Sequence, residues 1–170
     1  MRSPEIFDFL AVSERGKRVV VIHAKSEESM LSASFFQTIV GQAVKSLDYL
    51  NPHSNLKPPD LNTYDGPWRS AGLEVSRRVR WTRKTASTIW DNVQEILQDP
   101  DKTIEVWIVI GRGFSYEAFK HQQRSNDPVP ELIQIIYLLQ SAYDTVAQMN
   151  ARLRVLCASN LKPRAAGTPD

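Results

Sequence analysis

The chain has 170 residues, 42% of them hydrophobic and 24% charged, enough for one domain with its own core and too few for two comfortable ones. Its 21 basic residues face 19 acidic ones, a net charge of +2, which excludes a strongly polycationic nucleic-acid coat and leaves room for a local basic patch. The single cysteine, Cys157, excludes an internal disulfide and a cysteine-rich zinc site; with no apolar run of the roughly 18 residues a bilayer span needs and no secretory leader, a soluble cytoplasmic domain is expected.

Residues 6–12 (IFDFLAV) and 18–25 (RVVVIHAK) are β-branched and aromatic runs separated by the turn-forming SERGK, and together they predict a β-hairpin. Ser34 and Gln37 have the spacing of a capping box, and Phe36, Ile39, Val40, Ala43, Val44, Leu47 and Leu50 then recur at helical spacing as far as Pro52. Residues 52–70 hold four prolines and read as a long loop or insertion, a kind of segment that is often functional. The stretch 73–84 suits a short strand or a helix start equally. Residues 86–98 read as a helix. Residues 103–110 (TIEVWIVI) read as a central strand covered on both faces. A helix begins at Ser115, a second, over 131–149, carries Leu132, Ile135, Ile136, Leu139, Tyr143 and Val146 on one stripe, and residues 152–158 make the last strand. The order predicts a single α/β domain over residues 1–160, with a mixed central sheet, helices on both faces and a flexible tail over 161–170. The segment 103–158 is expected to form a right-handed crossover.

The hairpin carries the chemistry. If Asp8 lies opposite His23, the turn centres between Arg15 and Gly16, where a two- or four-residue loop fits. Alternation then places Asp8, Leu10 and Val12 on one face with Val19, Val21, His23 and Lys25, while Phe7, Phe9, Val20 and Ile22 fill the other. A slip of one residue separates Asp8 from His23 and Lys25. A carboxylate, an imidazole and an ammonium at the open end of one face suit metal-assisted phosphodiester hydrolysis. Asp8 would bind a hard divalent ion, Mg²⁺ or Mn²⁺, which would activate a water. Lys25 would hold that water or stabilise transition-state charge, and His23 would ligate the metal or move a proton.

Asp8, a 17-residue step and a strand ending in Lys25 resemble the PD-(D/E)xK, or restriction-endonuclease-like, nuclease superfamily. Glu5, Asp8 and Phe9, then Ile-His-Ala-Lys at 22–25, Ser-Ala-Ser at 32–34, and Gly41, Gln42, Ala43, Lys45 and Leu47 are similar to nuclease-like domains of bacterial defence-type proteins. The resemblance covers residues 5–50 well and 103–158 only as a helix–strand pattern. It implies a restriction-endonuclease-like fold, DNA as substrate, and Gln42 as a site residue beside Asp8, His23 and Lys25. Two departures stand out: His23 replaces the acid expected two residues before the lysine, with Glu5, Glu27 or Glu28 as compensating candidates, and the family's first helix is missing. A missing helix implies a fragment, or a second copy or partner domain that supplies it. The alternative implied is a degenerate module that keeps the fold for nucleic-acid binding or assembly.

Each signal has a plainer reading. Asp8 is an edge-strand residue or a partner of Lys25 alone, His23 is a hydrogen-bonded core histidine, Gln42 caps a sheet edge, and Lys45 is solvated. The turn Gly111-Arg112-Gly113 is a phosphate cradle at a helix start or an ordinary strand-to-helix connection, and Cys157 is a buried small hydrophobe. Arg69, Arg77, Arg78, Arg80, Arg83 and Lys84 fall within 16 residues against Glu74 alone, with Trp68 and Trp81 interleaved. Arginines pair with phosphates and tryptophans stack on bases, so this stretch is either a nucleic-acid surface or a solvated face.

Overall fold

A computed structural model describes residues 6–26, 31–54, 56–77, 84–111 and 114–157. Strands β1 (Phe9–Ser13) and β2 (Arg18–Lys25) form the expected hairpin. Helix α1 (Ala33–Leu50) follows, then a 3-10 turn (Leu61–Asp65), β3 (Trp68–Ser70), β4 (Leu73–Val75), α2 (Ala86–Gln98) and β5 (Thr103–Ile110). Helices α3 (Tyr116–Gln123) and α4 (Pro130–Gln148) lead to β6 (Arg152–Cys157). The main sheet is mixed, in the order β1-β2-β5-β6: β1 is antiparallel to β2, and β2, β5 and β6 are mutually parallel. Among the described strands, β3 and β4 pair only with each other. Their two-residue connection, Ala71 and Gly72, has φ of 48° and 79°, the left-handed pair that a tight hairpin demands and glycine accepts freely. Among the described residues no helix is long and apolar enough to cross a membrane.

The described helices cover one face of the sheet, not two. Val19 and Val21 of β2 and Ile104, Val106, Ile108 and Ile110 of β5 share a continuous core with Phe36, Ile39, Val40, Ala43 and Leu47 of α1, Trp90, Val93 and Leu97 of α2, and Ile135, Ala142 and Val146 of α4. The alternate residues Val20, Ile22, Trp107 and Val109 lie outside that core. The strand order gives the reason. From β2 to β5 to β6 the sheet grows in one direction, and right-handed connections that keep going the same way lay every helix on the same side. Covering both faces requires a reversal of that direction. Strand β5 is therefore central but lies under helices on one side only.

Smaller differences have local causes. Ser32, not Ser34, caps α1, its hydroxyl accepting the Phe35 N–H at 3.3 Å. Phe7 precedes the paired residues, and the chain bends at Asp8, so Phe7 leaves the face expected for it and stacks on Trp90 in the core, 6.3 Å between ring centres at 17°. Trp90 also meets the edge of Tyr49, which joins α2 to α1. On α4, Leu132, Ile135 and Val146 are buried with Ala142, whereas Ile136 and Tyr143 face outward: the inward stripe is narrower than the apolar spacing suggests. The segment 52–70 contains the 3-10 turn and β3, and is not all loop.

Candidate functional site

The hairpin register pairs Phe9 with Ile22 and Ser13 with Arg18, so Asp8 stands opposite His23 across a four-residue turn centred between Arg15 and Gly16. Asp8 itself lies one residue outside β1. Its backbone N–H donates to the Ile22 carbonyl at 3.1 Å, and one carboxylate oxygen accepts the Ala24 N–H at 2.6 Å. The carboxylate thus caps the end of the ladder, where β1 no longer supplies a carbonyl, and remains exposed to solvent.

His23 points the same way and is only 2% exposed. Its Nε2 lies 3.1 Å from the Ser46 hydroxyl of α1, and Ser46 in turn lies 2.7 Å from the Ala43 carbonyl. A backbone carbonyl only accepts, so the one hydroxyl proton goes to Ala43 and His23 donates through Nε2–H to Ser46. Burial pushes the His23 pKa below its ordinary value, against the charge of Asp8, which pulls the other way. The imidazole is a neutral link between β2 and α1. Lys25, half-buried two residues on, places its ammonium 5.3 Å from the centre of the Phe35 ring, a cation–π contact. Gln42 is half-buried on α1, on the flank that carries Phe35, Ile39 and Ser46 at helical spacing. The fold therefore brings Asp8, His23, Lys25 and the Gln42 flank to one end of the covered face, each side chain but Gln42 with a named structural partner.

An Mg²⁺ or Mn²⁺ ion asks for several oxygen donors in a near-octahedral shell. The described residues supply one carboxylate, half engaged with Ala24, and an imidazole whose Nε2 is taken. No group of three His, Cys, Asp or Glu side chains that could hold a metal occurs among them. This donor set does not fit such an ion. Glu5, Glu27 and Glu28 lie outside the described residues, as do Arg112 and Gly113 of the Gly-Arg-Gly turn.

The arginine- and tryptophan-containing stretch divides. Arg69 sits across the β3–β4 hairpin from Glu74 and pairs with it, Nε to carboxylate, at 2.9 Å. Arg77 lies over the Tyr64 ring, 5.6 Å from its centre, and Lys84 reaches Glu14 at 2.6 Å. Trp68, Leu73 and Val75 are exposed. Arg78, Arg80, Trp81 and Arg83 lie outside the described residues. Cys157 is half-buried against the core; burial first, then the charge of Glu117, raises its pKa.

One charged group escapes the sequence reading. Glu105, in the middle of β5, is 2% exposed and points to the face without helices. Its carboxylate meets the Arg18 guanidinium at 2.9 Å, Arg154 at 3.0 Å and the Trp107 indole N–H at 2.7 Å. Burial raises its pKa, but the hydrogen bonds from Trp107 and Arg18 and the charges of Arg18 and Arg154 outweigh it and leave the group below the ordinary glutamate value. The signal was present: a lone acid in an apolar central strand must find cations, and residues 152–155, Arg-Leu-Arg-Val, alternate them.

No protein-family model, no curated protein and no solved structure matches this chain.

Proposed function

We propose that this domain binds nucleic acid without cleaving it, on a restriction-endonuclease-like hairpin whose metal position has become a structural joint. The observation that carries the reading is His23. It occupies the position where the nuclease pattern needs a metal-binding acid, and there it is buried, neutral and hydrogen-bonded to Ser46. The nucleic-acid half of the reading is supported by the resemblance of residues 5–50 and by arginines clustered in the sequence at 69–83 and at 152 and 154, within a chain of small net charge. A second reading, metal-dependent DNA hydrolysis, is favoured by the register that puts Asp8 and Lys25 on one face.

Both are tested with labelled duplex and single-stranded oligonucleotides, with EDTA or with Mg²⁺ or Mn²⁺. Binding is expected to be unchanged by EDTA. Log affinity should fall with log salt, by about 0.9 per phosphate contact on duplex and about 0.7 on single strands. No strand scission is expected with either ion. Cleavage that disappears in both Asp8→Ala and Lys25→Ala proteins would install the hydrolase reading. Absence of binding to every oligonucleotide at low salt would remove the nucleic-acid reading altogether.

A further inference from the structure

The outer face of the main sheet has no described helix on it, although sheets of parallel strands are normally covered on both sides. The register orders what it displays. Phe9, Ile22, Trp107 and Arg154 form one row across all four strands. Ala11, Val20, Glu105 and Arg152 form the next, and Ala24, Val109 and Leu156 lie on the other side of the first. Phe9 is 56% exposed and Leu156 42%. Phe9 and Trp107 are two strands apart, so their backbones are separated by roughly 10 Å. The Trp107 indole is held by its bond to Glu105.

The charge on this face is one-sided. Among the described residues of the strands, Arg18, Arg152 and Arg154 stand against Glu105, whose carboxylate is already shared between Arg18 and Arg154. Arg152 is exposed and forms no ion pair among the described residues. A second copy packed sheet to sheet would set arginines against arginines. An anionic partner is favoured, and the two aromatic rings in one row favour an anion that also carries flat faces to stack. In a duplex those faces are hidden between neighbouring base pairs, whereas a single strand offers them.

We propose that the outer face of the sheet is a docking surface for single-stranded nucleic acid, with bases stacking on Phe9 and Trp107 and phosphates meeting Arg152 and Arg154. The proposal rests on the nucleic-acid reading above and assigns it to a surface away from the Asp8–Lys25 end of the covered face.

The test measures binding of fluorescein-labelled 15-mers of dT, rU and a duplex by anisotropy across a salt series, with substitutions at two exposed positions. Phe9→Ala and Phe9→Leu are both expected to weaken single-strand binding by about 5- to 150-fold, the range of one lost base stack, with little change for duplex. Phe9→Tyr should bind as the unsubstituted protein does, because it keeps the ring. Arg152→Ala should flatten the single-strand salt slope by about 0.7, and Arg152→Lys should restore it. Thermal melts identify any variant that loses its fold, and the leucine and lysine variants keep apolar bulk and charge respectively. The dT and rU arms show which sugar is preferred. If the unsubstituted domain binds single strands and every variant binds equally well, the surface assignment is wrong and the nucleic-acid reading survives. If the unsubstituted domain binds no oligonucleotide, both fall, and an amphipathic helix with acidic flanks becomes the partner this face fits.

Discussion

His23→Ala is expected to lose about 2–4 kcal/mol of folding stability at pH 7.5, through the cavity left at a fully packed position and the lost bond to Ser46. The imidazole lies between β2 and α1 and is closed off from solvent, so little relaxation fills its space. The loss should shrink in acid. Burial depresses the folded-state pKa of His23, so below the unfolded-state value, about 6.5, the unfolded chain takes up a proton that the folded one refuses. Stability is therefore complete above that value and declines as the pH falls, by at most about 1.4 kcal/mol per pH unit for one group. The alanine protein lacks this liability, so the two proteins should converge between pH 7.5 and 5.5. Urea unfolding at both values measures the effect. A His23→Ala protein as stable as its parent would mean that the imidazole is not a structural joint, and would reopen a chemical role for it.

Glu105→Ala is expected to lose about 2–3 kcal/mol at pH 7, and Glu105→Gln about half of that. Either change leaves Arg18 and Arg154 without their shared anion; alanine also removes the acceptor for the Trp107 N–H. Stranding the partners of a buried charge costs more than that, but both guanidiniums are half-exposed, 42% and 52%, and water makes good part of the loss. The sign with pH is the same as for His23: a depressed carboxylate pKa contributes stability that is present above the unfolded value, about 4.3, and is lost as the pH falls through the folded value. The difference between parent and Glu105→Gln proteins should be full at pH 7 and shrink as the pH falls below about 4.3. Equal thermal midpoints at pH 7 would show that the cluster adds nothing to the fold.

The hairpin was readable from residues 6–25 because both of its determinants are local: an alternating pattern on each strand and a turn of fixed length between them. Helix α2 and strand β5 were readable because their residue patterns are local too. The environment of His23 was not, because it depends on Ser46, a residue of another element whose serine hydroxyl looks like any other on a helix. The fate of Arg69 was hidden in the two-residue turn at Ala71 and Gly72, which alone determines that Glu74 faces it. The outer face without a described helix was the least accessible feature. Burial patterns along one strand show which residues alternate, but the direction in which successive strands are added is a property of the whole topology. For that reason the apolar run of β5 suggested helices on two faces when every described helix lies on one.

The pairing of β2 with β5 joins residues such as Arg18 and Thr103, some 85 positions apart. The β1–β2 hairpin and helix α1 can form from neighbouring residues on the microsecond scale. The parallel ladder at the centre of the sheet must wait until a long intervening chain has closed on itself. That closure is entropically expensive at first but grows only with the logarithm of loop length, about 0.6 kcal/mol for each doubling. Two consequences follow for the behaviour of the chain in time. Refolding should be limited by the arrival of β5, in the slower range typical of non-local topologies. And the β3–β4 hairpin within the segment between α1 and α2, whose strands pair with each other and with no other described strand, can lengthen or shorten at its turn over evolution at almost no cost to the equilibrium.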